Sequence, residues 1–122
     1  MYFYWNACEN FLMTIRTESL DMRAMRLAAT KAGGLLKALA NTDRLLLLCQ
    51  LTGGEHCVSE LEEVLGIPQP TLSQQLGVLR EERLVNTRRE GKKIYYSIAS
   101  KEALAVMQVL YQQFCARDIG RK

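Results

Sequence analysis

Histidine is nearly missing: the 122 residues hold one, His56. That argues against a histidine-built metal centre and leaves one candidate imidazole for any mechanism that needs a base. The cysteines, Cys8, Cys49, Cys57 and Cys115, include no CxxC pair, so no zinc ribbon or thioredoxin-type dithiol is written here. No basic segment precedes an apolar run, and no apolar run is long enough to span a bilayer. Neither a signal peptide nor a membrane helix is therefore expected. Internal repeats and low-complexity tracts are absent too. A cytoplasmic protein without cofactor is therefore expected, in a reducing compartment where any disulfide is transient.

The length corresponds to one domain, and 48% hydrophobic with 24% charged residues is ordinary for a globular protein. A domain of this size buries a modest core, and small helical domains often complete theirs by dimerising. The net charge of +3 is only mildly basic, but its distribution is uneven. Residues 80–93, REERLVNTRREGKK, carry six Arg or Lys against three Glu, whereas residues 55–63, EHCVSELEE, carry four Glu and no Lys or Arg. A basic stripe beside an acidic helix implies an oriented, polyanionic partner.

The first eleven residues, MYFYWNACENF, contain five of the nine aromatic residues and show no period. Residues 1–16 are expected to be a disordered, dispensable tail, with Met13 an alternative start, and 17–118 to be the folded domain. Helix formers run from about Leu20 to Ala40, with Gly33-Gly34 expected to interrupt the helix and allow a close helix contact. Asn41-Thr42-Asp43 caps a helix to about Leu51, ended by Gly53-Gly54. A short helix covers Val58 to Leu65, with Cys57 at or next to its N-cap and Gly66 as its stop. Pro70 suits the first turn of the next helix, which runs to about Glu82 with Leu72, Leu76 and Leu79 inward. The period then falls to two: Val85 and Thr87, then Ile94, Tyr96 and Ile98, flank a turn at Arg89-Glu90-Gly91-Lys92. Ser100 caps a last helix with Ala103, Val106, Met107, Leu110 and Phe114 on one face.

The resulting class is mainly α with a small β-hairpin: a winged helix-turn-helix. A helix fits the major groove of duplex DNA, and small polar side chains on its outer face reach base edges. Gln69, Thr71, Ser73, Gln74 and Gln75 are the candidates on the second motif helix. Arg88, Arg89, Lys92 and Lys93 on the hairpin would neutralise phosphates.

The stretches KALANTDRLLLL, VSELEEVLGIPQPTLSQQLGVLREERLV and TRREGKKIYYSI resemble the ArsR/SmtB family of winged-helix repressors over about Leu35 to Cys115. Cys49 after the leucine run and Cys115 in YQQFC resemble the branch of biofilm growth-associated and sulfide- or persulfide-responsive regulators. The resemblance implies a homodimer through the first and last helices, bound to an inverted-repeat operator and released by an inducer. It also implies that reversible oxidation of Cys49 and Cys115 is the signal. Family metal sites place two cysteines at the start of the short helix, where this chain reads EHCVSEL. Ser59 stands where the second thiolate would be, and the last helix has no histidine, so no metal ligands are assigned. A metal-responsive repressor using Cys57 is the alternative, and His56 is read as a lone exposed loop histidine.

Residue physics and resemblance point to different thiols. Cys57, at a helix N-terminus, should have the better stabilised thiolate, and Cys49, among leucines, the least ionised. A thiol enzyme is disfavoured because Cys49 has no evident base.

Overall fold

The computed structural model describes residues 21–116. The expected tail, Cys8, and residues 17–20 and 117–118 of the expected domain lie outside that range. The chain forms two units that part between Gly34 and Leu35.

The described part of the first unit is helical. Helix α1 spans Met22–Leu39 and begins where Asp21 Oδ1 accepts from the Arg23 N–H at 3.1 Å. Gly33-Gly34 does not interrupt it, contrary to the sequence expectation. Two glycines cost a helix about 2 kcal/mol against alanine, which the rest of an 18-residue helix absorbs. Nothing among the described residues lies within 4 Å of a Cβ built on either glycine, so the expected close contact is not made among them.

The second unit begins with the last turn of α1 and holds the core. Helix α2, Thr42–Leu51, starts at Asn41, whose Oδ1 accepts from the Arg44 N–H at 3.1 Å. Strand β1, His56–Cys57, leads directly into helix α3, Val58–Leu65, which ends at Gly66 with φ +68°. Helix α4, Gln69–Glu81, has Pro70 in its first turn. Strands β2, Val85–Glu90, and β3, Lys93–Ile98, form the hairpin, with Gly91 at φ +63° in its two-residue turn. Helix α5, Lys101–Leu110, is capped by Ser100, whose Oγ accepts from the Ala103 N–H at 3.0 Å.

The sheet has three antiparallel strands in the order β1-β3-β2, with His56 opposite Tyr96 and Val85 opposite Ile98. The hairpin was legible from its period; β1 was not, because two residues show no period. His56 is therefore a half-buried strand residue rather than an exposed loop histidine, its Nδ1 4.0 Å from Glu60 Oε1.

One apolar cluster joins these elements. Leu47, Leu48, Leu61, Leu72, Leu76 and Leu79 are fully buried, with Ala38, Leu39, Leu84, Ala103 and Met107 around them. Each such leucine removed from water is worth roughly 1.5–3 kcal/mol, which is what fixes α2, α3 and α4 against one another. The face expected on the last helix is realised at Ala103 and Met107 but not at Phe114, which is 68% exposed. The α-helix gives way after Leu110 to a π-helical turn, Tyr111–Ala116. That wider winding breaks the 3.6-residue spacing on which the expectation rested.

Candidate nucleic-acid interface and thiol pair

Helix α4 has 13 residues, a rod of about 20 Å at 1.5 Å per residue. With Leu72, Leu76 and Leu79 against the core, its opposite face carries Gln69, Pro70, Ser73, Gln74 and Gly77, all exposed. Thr71 and Gln75 are half-buried on its flanks. Gln75 differs from the others because its Oε1 accepts from Arg44 Nη1 at 2.7 Å. The free outer face is short, polar and uncharged, which suits hydrogen bonding to base edges.

The wing stands beside the start of this helix. A cleft of about 300 Å³ is lined by Gln69 at the start of α4, by Lys92, Lys93 and Ile94 of the hairpin, and by Cys57, Val58, Ser59 and Glu62. The structure thus brings Gln69, Lys92 and Lys93 to one edge. Arg89, Lys92 and Lys93 are exposed. Arg88 is differently placed: it donates to Glu55 Oε1 and Oε2 and to Glu90 Oε2, with its guanidinium 4.8 Å from the Tyr95 ring centroid. The Arg88 hydrogen bonds hold the Glu55 carboxyl below its ordinary range, and those carboxylates push the arginine up. One cation of the basic stripe is thereby matched within the chain by the acidic segment.

Cys49 follows two fully buried leucines yet is itself half-buried. It faces an apolar groove of about 290 Å³ lined by Leu45, Leu46, Met107, Leu110, Tyr111, Phe114 and Cys115. Cys115, in the π-helical turn, is also half-buried, and both thiols are free. Cys49 borders a second groove of about 550 Å³, with Thr52, Leu104, Gln108 and Gln112. Burial pushes the Cys49 thiol above its ordinary pKa, and the charge of a neighbouring Cys115 thiolate pushes it further. The two cysteines, 66 positions apart in sequence, thus line one groove between α2 and the end of the chain's last described helix.

Cys57 sits elsewhere, 3% exposed at the N-cap of α3. Its backbone N–H donates to Glu60 Oε1 at 2.9 Å, and its Sγ lies 3.2 Å from Ser59 Oγ. A hydroxyl, not a second thiolate, thus stands beside the Cys57 sulfur. Among the described residues no group of three or more His, Cys, Asp or Glu is placed to hold a metal ion, and no helix is long and apolar enough to cross a membrane.

Arg44 is the residue sequence reading passed over. The only signal was a cation in NTDR, immediately before an apolar run, at a helix end that does not favour positive charge.

Comparison with known proteins places these features in context. The family described as "Bacterial regulatory protein, arsR family" matches residues 41–87. The chain is 52% identical over 99 residues to the biofilm growth-associated repressor of Agrobacterium fabrum, covering 81% of this chain and 85% of that one. It is 40% identical over 96 residues to the transcriptional activator HlyU of Vibrio cholerae, covering 79% and 89%. Among solved structures, reduced HlyU from Vibrio cholerae superposes with a TM-score of 0.73 at 41% identity, covering 76% of this chain and 98% of that one. The transcriptional repressor BigR from Xylella fastidiosa gives 0.72 at 46% identity, covering 79% and 98%.

Proposed function

We propose, from the premise that this chain belongs to the arsR family of bacterial regulatory proteins, that it is a DNA-binding repressor switched by its own thiols. It acts in the bacterial cytoplasm as a homodimer, formed through the first and last helices, on an inverted-repeat operator. Helix α4 reads the major groove through Gln69, Thr71, Ser73 and Gln74, and Arg89, Lys92 and Lys93 of the wing hold phosphates. The repressor reading follows the relatives named for repression; HlyU, named an activator, shares the same fold.

The observation that carries the switch is the groove shared by Cys49 and Cys115. Joining them removes two protons and two electrons from the thiols. A persulfide accepts both, leaving as a thiol and hydrogen sulfide, and a peroxide accepts them as well. A disulfide requires Cα atoms about 4.4–6.8 Å apart, so closing it fixes α2 against the C-terminal turn. Helix α2 packs directly on α4, and the last helix belongs to the proposed dimer interface. Oxidation therefore changes the spacing of the two reading helices, and a respaced dimer cannot enter both half-sites at once.

Operator binding by fluorescence anisotropy, before and after oxidation, tests this, with the linked peptides mapped by mass. The wild type releases DNA on oxidation; Cys49→Ser and Cys115→Ser each stay bound. Micromolar zinc, cadmium or arsenite leaves the reduced protein on its operator. Release by metal that Cys57→Ser abolishes would assign the signal to Cys57 instead.

A further inference from the structure

Three elements of the core unit meet at one guanidinium. Arg44, near the start of α2, donates through Nε to the Ala38 carbonyl, through Nη2 to the Lys37 carbonyl at 3.4 Å, and through Nη1 to Gln75 Oε1 at 2.7 Å. The first two acceptors are at the C-terminal end of α1, where a cation is favoured; the Lys37 carbonyl also accepts from the Ala40 N–H at 3.3 Å. The third is in the middle of α4, on the flank of its outer face. Among the described residues no carboxylate pairs with Arg44, so its charge is spent on carbonyl oxygens. Such charge-assisted hydrogen bonds are roughly twice as strong as neutral ones. Only a planar fork with several fixed donors spans acceptors in two different directions; a lysine ammonium is a point charge on a flexible stem.

The same helix carries the sulfur. Cys49 lies five positions after Arg44 on α2, so a movement of α2 displaces thiol and guanidinium together. Gln75 is the residue of α4 that this movement reaches by a side-chain hydrogen bond.

The geometry points to Arg44 as a positioning residue that sets the angle of α4 against α2 and the end of α1. On the reading above, in which Cys49 and Cys115 govern release, it is the connection through which the thiols reach the reading helix. It touches no DNA itself. Gln75, grouped by sequence with the base-reading glutamines, acts through Arg44 rather than by bonding a base on its own.

The test uses the full chain and two ratios: operator over random-duplex affinity in the reduced state, and reduced over oxidised affinity for the operator. Arg44→Ala and Gln75→Leu each lower both ratios by about three- to tenfold, the range expected for a residue that carries coupling. Affinity for random duplex is unchanged, since the wing is untouched. The double variant is no worse than Arg44→Ala alone, because that change already removes the bond to Gln75. Arg44→Lys behaves like Arg44→Ala. Asn41→Ala removes the cap of the same helix without touching the guanidinium; it lowers Tm and leaves both ratios intact.

Additive losses in the double variant would overturn the proposal, as would an Asn41→Ala variant that reproduces the effect. If Gln75 instead bonded a base directly, Gln75→Leu would weaken operator binding equally in both redox states and leave the second ratio where it was. That outcome also overturns the proposal, and it decides the matter if Arg44→Ala does not fold. If the wild type itself shows no oxidation-dependent release, the thiol switch falls. The first ratio then still tests Arg44 by itself.

Discussion

Cys49 and Cys57 occupy opposite surroundings, and neither matches what its sequence neighbours suggest. Cys57 begins a helix, where a thiolate is stabilised, but it is 3% exposed with Ser59 Oγ against its sulfur. Cys49 follows leucines, yet it opens onto two grooves. Access therefore favours Cys49, while its raised pKa slows it. The sign is definite: burial and then the Cys115 charge favour the neutral thiol, so the reactive thiolate appears only as pH rises beyond the ordinary thiol value. Iodoacetamide labelling of Cys49, followed by peptide mass against a free thiol standard, should lag at pH 8 and still be climbing above pH 9. In Cys115→Ser the profile moves to lower pH, since the second cause is gone. An unchanged profile would show that the two sulfurs do not sense one another.

Among the elements, α4 has the least ordinary ending. The Arg83 N–H donates to Arg80 O at 3.0 Å and the Leu84 N–H to Leu79 O at 2.9 Å, with Arg83 at φ +60°. This is the two-bond helix stop that glycine normally serves. An arginine held in the left-handed region costs about 1–2 kcal/mol, and the buried Leu84 beside it holds the turn in place. Relieving that strain outweighs the extra chain entropy of glycine in the unfolded state. Arg83→Gly is therefore expected to stabilise the chain by about 0.5–1 kcal/mol, a Tm gain of roughly 2–8 °C for a domain this size. A lower Tm in thermal unfolding would show that the arginine side chain contributes more than its backbone costs.

For the whole molecule, the proposed function divides the work of binding between charge and shape. Arg89→Ala and Lys92→Ala should weaken operator and random duplex alike, each lowering the salt slope by about one unit per phosphate no longer neutralised. Arg88→Ala should move the slope less, because Glu55 and Glu90 already balance its charge. Gln74→Ala should instead cost roughly 1–3 kcal/mol at the operator and little on random DNA. Salt titrations of both duplexes separate the two classes. Equal losses for Gln74→Ala on both would remove it from base readout.

Much of this architecture follows from local rules that need no tertiary information. Asn41 caps α2, Gly66 and Gly91 supply the positive φ their turns require, and Leu72, Leu76 and Leu79 face the core at helical spacing. Cys49 and Cys115 were singled out by resemblance, because no local rule relates residues so far apart. Their common groove depends on how α2 packs against α5 and on the π-helical turn after Leu110, which a 3.6-residue period does not anticipate. Strand β1 exists only because β3 offers it an edge. The pairing of Arg88 with Glu55 and the hold of Arg44 on Gln75 span 33 and 31 positions. In sequence these are two more cations and a glutamine. Only the packed core brings their partners within hydrogen-bond reach, and that packing decides which charges are already paired within the chain.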